Sequence, residues 1–305
     1  MSEAKDRSGS WLTSALMALV MATGVGYVVA AWLASRWLTR SKKRRPEITP
    51  ADFGLPFDTI TCRTGDGLRL TGWVVEPPAP RGTVTFFHGL RCTRQLMLER
   101  MAIFAGAGFR CVAFDHRAHG ESQGRLTSFG YHEGRDVAAV LDLVKQRWPE
   151  QPRVALGVSM GAAAICFAAA RARGADAVIL ESMYHDILSA FTTRVSGDFP
   201  RWYGWLSRGI IWVTERRLGL RLEDLTPADH IGRLAPAPVL LITGTLDGHA
   251  TPDDARRLYE RCHGPRELLL VPGAGHIDLL EVAGPMYAER VLQFLEQCLP
   301  AAVAS

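Results

Sequence analysis

Residues 11–35, WLTSALMALVMATGVGYVVAAWLAS, run for twenty-five positions without a charge. About 20 apolar residues suffice to cross the hydrocarbon of a bilayer as a helix. After a linker containing Pro46 and Pro50 the pattern changes. FDTITCR and LRLTGWVVEP alternate in polarity on either side of Thr64-Gly65-Asp66-Gly67, which predicts a hairpin. Short apolar runs follow: GTVTFFHG, FRCVAFD, RVALGVS, AVILES, PVLLITG and ELLLV. Between them, residues 93–107 and 131–147 carry helical spacing, the latter through Val137, Val140, Leu141 and Val144, and a last helix is predicted over about 283–298. Runs apolar on both faces, separated by helices, predict a mostly parallel sheet covered on both sides. One interval breaks the rhythm. About fifty residues separate AVILES from PVLLITG, more than a crossover helix needs. This stretch, about 185–232, is aromatic and basic (FPRWYGWLSRGIIWVTERR) and reads as a helical lid insertion, with Trp202, Trp205 and Trp212 as candidate substrate contacts. The expected organisation is a tail over 1–10, a membrane anchor over 11–37, a basic linker over 38–54, one α/β domain over 55–298 and a tail over 299–305.

Charge refines the picture of the ends. The formal net charge is +4, and Arg36, Arg40, Lys42, Lys43, Arg44 and Arg45 alone supply six positive charges, so the remainder is near neutral or slightly acidic. Nucleic-acid binding would need a basic face and a recognisable module, and the sequence offers neither. The six basic residues follow the apolar run, whereas only Lys5 and Arg7 precede it, offset by Glu3 and Asp6. Lys and Arg are retained on the cytoplasmic side, so a single-pass anchor with a cytoplasmic domain is expected. A cleavable signal peptide is the rival reading, but its apolar core is shorter and its leading segment positive. Six cysteines without a C-x-x-C pair or metal-ligand spacing suit free thiols, and no metal or cofactor is expected. Ser14, Ala18, Ala22, Gly26, Ala30 and Ala34 form a strip of small residues at spacing four, an arrangement through which membrane helices dimerise.

The chemistry lies in loops after the apolar runs. Gly157-Val158-Ser159-Met160-Gly161 fits G-x-S-x-G between a strand and the helix-prone AAAICFAAARA, the context of a serine nucleophile on a tight turn. A serine hydroxyl needs a base to take its proton. His276, in PGAGHIDLL directly after ELLLV, is placed to serve, because parallel strands end at one edge of the sheet. Asp247, in ITGTLDGHATP just past PVLLITG, is the candidate orienting acid; Asp253, Asp254 and Asp278 are rivals, the first two suited to capping a helix around 252–261. Two backbone N–H groups should receive the oxyanion, those of Met160 and of Leu90 in His88-Gly89-Leu90. His88 reads as a structural turn residue.

The segments HGL, FDHRAHGES, GVSMG, GTLDGHATP and GAGHIDLL resemble the ordered signature set of α/β-hydrolases over roughly 55–298. The resemblance implies Ser159 as nucleophile, Asp247 as acid, His276 as base, and Leu90 and Met160 as oxyanion donors. It also marks Asp115, Arg117, His119, Gly120 and Ser122 as a structural stretch, with Ala118 in place of the common glycine. HGLRCTR lacks the H-G-G-G run of many lipases. The leading expectation is hydrolysis of carboxylic esters or thioesters bearing acyl chains through an acyl-enzyme. A serine aminopeptidase or amidase of the same fold, an acyltransferase and a non-catalytic membrane-bound binding module are the alternatives.

Overall fold

The computed structural model describes residues 3–41, 43–169, 174–189 and 203–299, with backbone alone for 3–10, 12 and 203–206. The chain divides into two compact units, Met1–Thr39 with Asp198–Leu222, and Arg40–Gly197 with Glu223–Ser305.

The smaller unit pairs two helices that are distant in sequence. α1 (Glu3–Thr39) contains the apolar run, and within it Thr13–Thr39 is long and apolar enough to cross a membrane. α5 (Tyr203–Leu218) comes from the insertion and packs on α1.

Among the described residues of the larger unit, eight strands form one sheet: β1 (Asp58–Arg63), β2 (Arg69–Val75), β3 (Thr83–Phe87), β4 (Arg110–Phe114), β5 (Arg153–Val158), β6 (Ala177–Glu181), β7 (Val239–Gly244) and β8 (Arg266–Val271). Their order is β1-β2-β4-β3-β5-β6-β7-β8. β2 runs antiparallel to β1 and β4, and every pair from β4 to β8 is parallel. Phe87 at the end of β3 lies opposite Phe114 of β4 and Gly157 of β5, so these strands finish level at one edge. β3, β4, β6 and β7 are buried along their whole length, which is why they read as unbroken apolar runs rather than alternating ones.

Helices α2 (Leu98–Gly106), α3 (Glu133–Arg147), α4 (Met160–Ala168) and α6 (Pro252–Arg261) join strands, and α7 (Leu279–Ala283) and α8 (Pro285–Cys298) follow β8. Phe104 of α2 and Tyr287 and Phe294 of α8 bury with Phe86, Phe109, Leu156 and Ile179 in one cluster. Phe104 meets Phe86 and Phe109 edge-on, with ring centroids 5.7 and 6.0 Å away. Each such ring contributes about 1.5–3 kcal/mol by leaving water. α3 and α4 pack on each other closely enough that a Cβ on Gly134 would lie 3.0 Å from that of Phe167.

One predicted helix is divided in the structure. Residues 94–97 form a 3-10 turn before α2, where Arg94 is buried, its guanidinium 4.3 Å over Trp73 and ion-paired with Asp115 and Glu121. The last helix, expected over about 283–298, is α8; the short α7 precedes it and ends at Gly284, whose φ is 53°, followed by Pro285, which has no N–H to continue α7.

Candidate active site

The passage from β5 to α4 takes one residue. Ser159 occupies it at φ 53° and ψ −112°, a sparsely populated backbone conformation that persists only where its surroundings enforce it. The neighbouring glycines explain the enforcement. A Cβ on Gly157 would lie 2.5 Å from the Ala162 nitrogen, and one on Gly161 would lie 2.1 Å from the Phe87 carbonyl oxygen. The start of α4 is therefore wedged between β5 and β3, and side chains on either side of the serine would force it out. The Ser159 N–H donates to the Glu181 carbonyl at 2.8 Å, tying the turn to β6. Glu181 is itself held in the core by Arg100 and Tyr287.

Two loops from the same sheet edge complete the constellation. His276, after β8, has Nε2 at 3.1 Å from Ser159 Oγ and Nδ1 at 2.8 Å from Asp247 Oδ2. Asp247, after β7, is buried, and its second oxygen accepts from the His249 and Ala250 N–H groups at 2.8 and 2.9 Å. Burial pushes this carboxyl up, but the hydrogen bond and charge of His276 and the two backbone donors outweigh it and hold the group below its ordinary value. The two loops also brace one another. Leu246 N–H donates to the Ala274 carbonyl, Gly273 N–H donates to Thr245 Oγ1, and a Cβ on Gly244 would lie 2.2 Å from the Ala274 oxygen. The rival acids have other work. Asp254 closes a capping box with Thr251 at the start of α6, Asp253 pairs with Arg256, and Asp278 accepts the Gly275 N–H at 2.7 Å, shaping the histidine loop.

The loop His88-Gly89-Leu90 passes over the serine, with an ideal Cβ on Gly89 falling 3.7 Å from Ser159 Cβ. Met160 opens α4, so its N–H has no carbonyl one turn back in the helix. Both expected oxyanion donors thus lie on segments adjoining Ser159. Below the loop, His88, His116 and His119 are buried with ring centroids 5.0 and 5.1 Å apart around His88. His88 Nε2 accepts the His116 N–H at 3.1 Å, as expected of a structural residue. Sequence reasoning missed a finer point in His119. Its Nε2 accepts the Arg91 N–H at 3.1 Å and its Nδ1 lies 2.8 Å from the Arg117 carbonyl. Arg91, directly after Leu90, has φ 61°, outside the usual range for a side-chain-bearing residue. His119 therefore pins the exit of the His88-Gly89-Leu90 loop. Nothing local signalled this, because the partners are 28 residues apart. Burial, with the neighbouring histidines, holds the His88 imidazole well below its ordinary value; burial likewise holds that of His119 down. Both rings are thus kept neutral, as acceptance at Nε2 requires.

Of the residues expected to form a lid, Trp202 lies outside the described residues, as does the side chain of Trp205, while Trp212 is exposed on α5 in the smaller unit. No group of three or more His, Cys, Asp or Glu among the described residues is arranged to hold a metal. An open groove lined by Thr61, Asp66, Arg135 and Asp142 includes none of Ser159, Asp247 and His276.

Comparison with known proteins agrees with this frame. A family described as serine aminopeptidase, S33, matches residues 78–218. The uncharacterized protein YqkD of Bacillus subtilis is 28% identical over 235 residues, 75% of this chain and 76% of the relative. The human alpha/beta hydrolase domain-containing protein 17B is 29% identical over 251 residues, 79% of this chain and 76% of the relative. In structure, the Pyrococcus furiosus esterase Pf2001 superposes with a TM-score of 0.70 at 21% identity, covering 86% of this chain and 98% of the esterase. With this strand order, a strained serine turn at the sheet edge and relatives spanning most of its length, the chain has the α/β-hydrolase fold and is similar to the hydrolases of that superfamily.

Proposed function

We propose that the protein is a membrane-anchored serine hydrolase that cleaves carboxylic esters or thioesters of acyl-chain substrates. One observation carries this reading: the unbroken relay Asp247–His276–Ser159, with contacts of 2.8 and 3.1 Å. In the reaction, His276 Nε2 takes the Ser159 hydroxyl proton as Oγ attacks the acyl carbon. The carbonyl oxygen becomes an oxyanion, received by the Leu90 and Met160 N–H groups. Collapse expels the alcohol or thiol, which leaves with the proton from His276, and the acyl group stays on Ser159 as an ester. Water then repeats the sequence: His276 removes its proton, the acyl–Ser159 bond breaks, and the carboxylic acid and free serine are restored. Asp247, kept ionised, fixes the imidazole tautomer and stabilises the imidazolium. The apolar run 11–35 of α1, followed by six basic residues, supports an uncleaved single-pass anchor with the catalytic unit in the cytoplasm. The aromatic composition of the insertion, with Trp202, Trp205 and Trp212, supports a preference for substrates with apolar acyl chains.

A second reading, cleavage of amides, draws on the aminopeptidase family matching residues 78–218. The relay serves either bond, so the leaving group separates the two. A fluorophosphonate probe on detergent-solubilised full chain, followed by p-nitrophenyl esters and aminoacyl amides, tests both. Ser159→Ala is expected to abolish labelling and lower kcat by roughly 10⁴–10⁶-fold, and Asp247→Asn by about 10³–10⁴-fold with folding intact. Native labelling in Ser159→Ala rejects the mechanism.

A further inference from the structure

α5 runs alongside the second half of α1 in the same direction. The Tyr27 hydroxyl sits over Gly209, where a Cβ would come within 2.1 Å of it. Eight residues later on both helices, Arg217 Nη1 donates to Ser35 Oγ at 3.0 Å. Each contact joins residues 182 apart, so the helices advance together, about 12 Å between the two contacts at 1.5 Å per residue. In this register Tyr203 is level with Met21, Arg208 with Gly26, and Leu218 with Arg36.

That register conflicts with a bilayer centred on residues 11–35. It would set Arg208, which is exposed, near the middle of the hydrocarbon. An arginine there costs about 2.5–3.5 kcal/mol even on the mildest scale. The conflict disappears if the hydrocarbon ends near Tyr27. Counting back about 20 residues, the length that spans the core, reaches Ser8, immediately after Arg7, through positions that are all uncharged. Trp32 and Trp37, both exposed, then fall at the headgroups, where such residues concentrate. The first turn of α5, Tyr203-Gly204-Trp205-Leu206, carries no charge and lies level with Met21–Gly24, below that boundary. The face of α5 turned away from its buried residues Val213, Thr214 and Leu218 exposes Arg208, Trp212 and Arg216 at spacing four, with the Arg216 guanidinium 5.1 Å over the Trp212 ring.

We propose that α5 is a membrane-dipping arm whose first turn enters the acyl region beside α1, while Arg208, Trp212 and Arg216 bind the headgroups of anionic phospholipids. The hydrocarbon-spanning segment accordingly moves from 11–37 to about 8–27. Charge complementarity names the occupant: the stripe pairs two cations with an interfacial aromatic on a helix fixed to a membrane-length helix. This inference rests on the reading that α1 stays in the membrane.

The test is full-length protein in vesicles, carrying one fluorophore on a cysteine introduced at Leu19, Leu206, Trp212 or Leu220. Cys62, Cys111, Cys166 and Cys262 are buried, so replacing the half-buried Cys92 and Cys298 by Ser clears the background. With a quencher on the lipid acyl chains, the labels at Leu19 and Leu206 should lose fluorescence strongly, that at Trp212 less, and that at Leu220 hardly at all. An unquenched Leu19 label means that the anchor reading fails. A quenched Leu19 label with Leu206 unquenched, or quenched no more than Leu220, overturns the arm alone. Replacing phosphatidylglycerol by phosphatidylcholine should weaken quenching at Leu206, and Arg208→Gln with Arg216→Gln should remove that dependence. Quenching indifferent to phosphatidylglycerol in the native stripe overturns the headgroup assignment.

Discussion

His119 shows how much can hang on one imidazole. It touches no reacting atom, yet its Nε2 holds the Arg91 N–H, one residue past the proposed oxyanion donor Leu90. A backbone donor displaced by about 1 Å can cost 10²-fold in rate. His119→Ala is therefore expected to lower kcat for a p-nitrophenyl ester by roughly 10–100-fold while leaving KM nearly unchanged. His119→Gln, whose amide oxygen can accept the same N–H, should recover most of that loss. A positioning role separates kcat from stability, whereas a merely structural one would lower the melting temperature and the amount of active enzyme together. Native kcat in His119→Ala removes His119 from the machinery. The three histidines were each visible in HGL and FDHRAHG, but their convergence was not, because β3 and β4 become neighbours only in the sheet.

At the scale of elements, the joint between β5 and α4 is the most constrained part of the site. Gly161 lies against the Phe87 carbonyl, which is main chain of β3 and has no rotamer to yield. Gly161→Ala should consequently shift α4 as a whole and destabilise the fold by about 3 kcal/mol or more, at the upper end of overpacking costs. Urea titration of the larger unit's spectroscopic signal within the full chain reads this directly. A midpoint equal to that of the native protein would mean that the turn has slack the geometry denies. Gly219 gives the contrast. Its φ is 67°, yet an added Cβ meets nothing within 4 Å, so a substitution there suffers only from backbone strain.

For the molecule as a whole, acid and the membrane supply the tests. His88 and His119 are held below their ordinary value when folded and should return to about 6.5 when unfolded. Below that pH the unfolded chain binds protons that the folded chain refuses, so the stability these groups contribute is present above about pH 6.5 and declines as pH falls. The slope is at most about 1.4 kcal/mol per pH unit for each histidine. Urea midpoints measured between about pH 6.5 and 5, above the carboxylate range, should fall, and His119→Gln should make that decline shallower. A flat profile would contradict neutral burial of both rings. Topology is tested separately. A protease outside intact spheroplasts should leave everything beyond residue 45 undigested, and mass spectrometry of the membrane-extracted chain should find the N-terminal segment attached. External digestion of the hydrolase unit would refute the charge argument, and loss of the first residues up to a cleavage site would favour a signal peptide.

The sequence by itself determined the strand runs, the helices between them, the G-x-S-x-G turn, and the loops after β7 and β8 that hold Asp247 and His276. These were legible because each depends on local periodicity or on a short motif whose spacing the backbone dictates. The capping position of Asp254 was legible too, from the Thr-Pro start to α6. Tertiary structure decided what depends on closure over distance. It brought three residues from positions 159, 247 and 276 within hydrogen-bonding range and set His119 under Arg91. It also laid α5 on α1. The insertion was recognisable by its length and aromatic content, but periodicity along one segment carries no information about which other helix it faces. Tyr27 against Gly209 and Arg217 against Ser35 settle that pairing, because helix packing selects surfaces that fit, and fit exists only once both surfaces are formed.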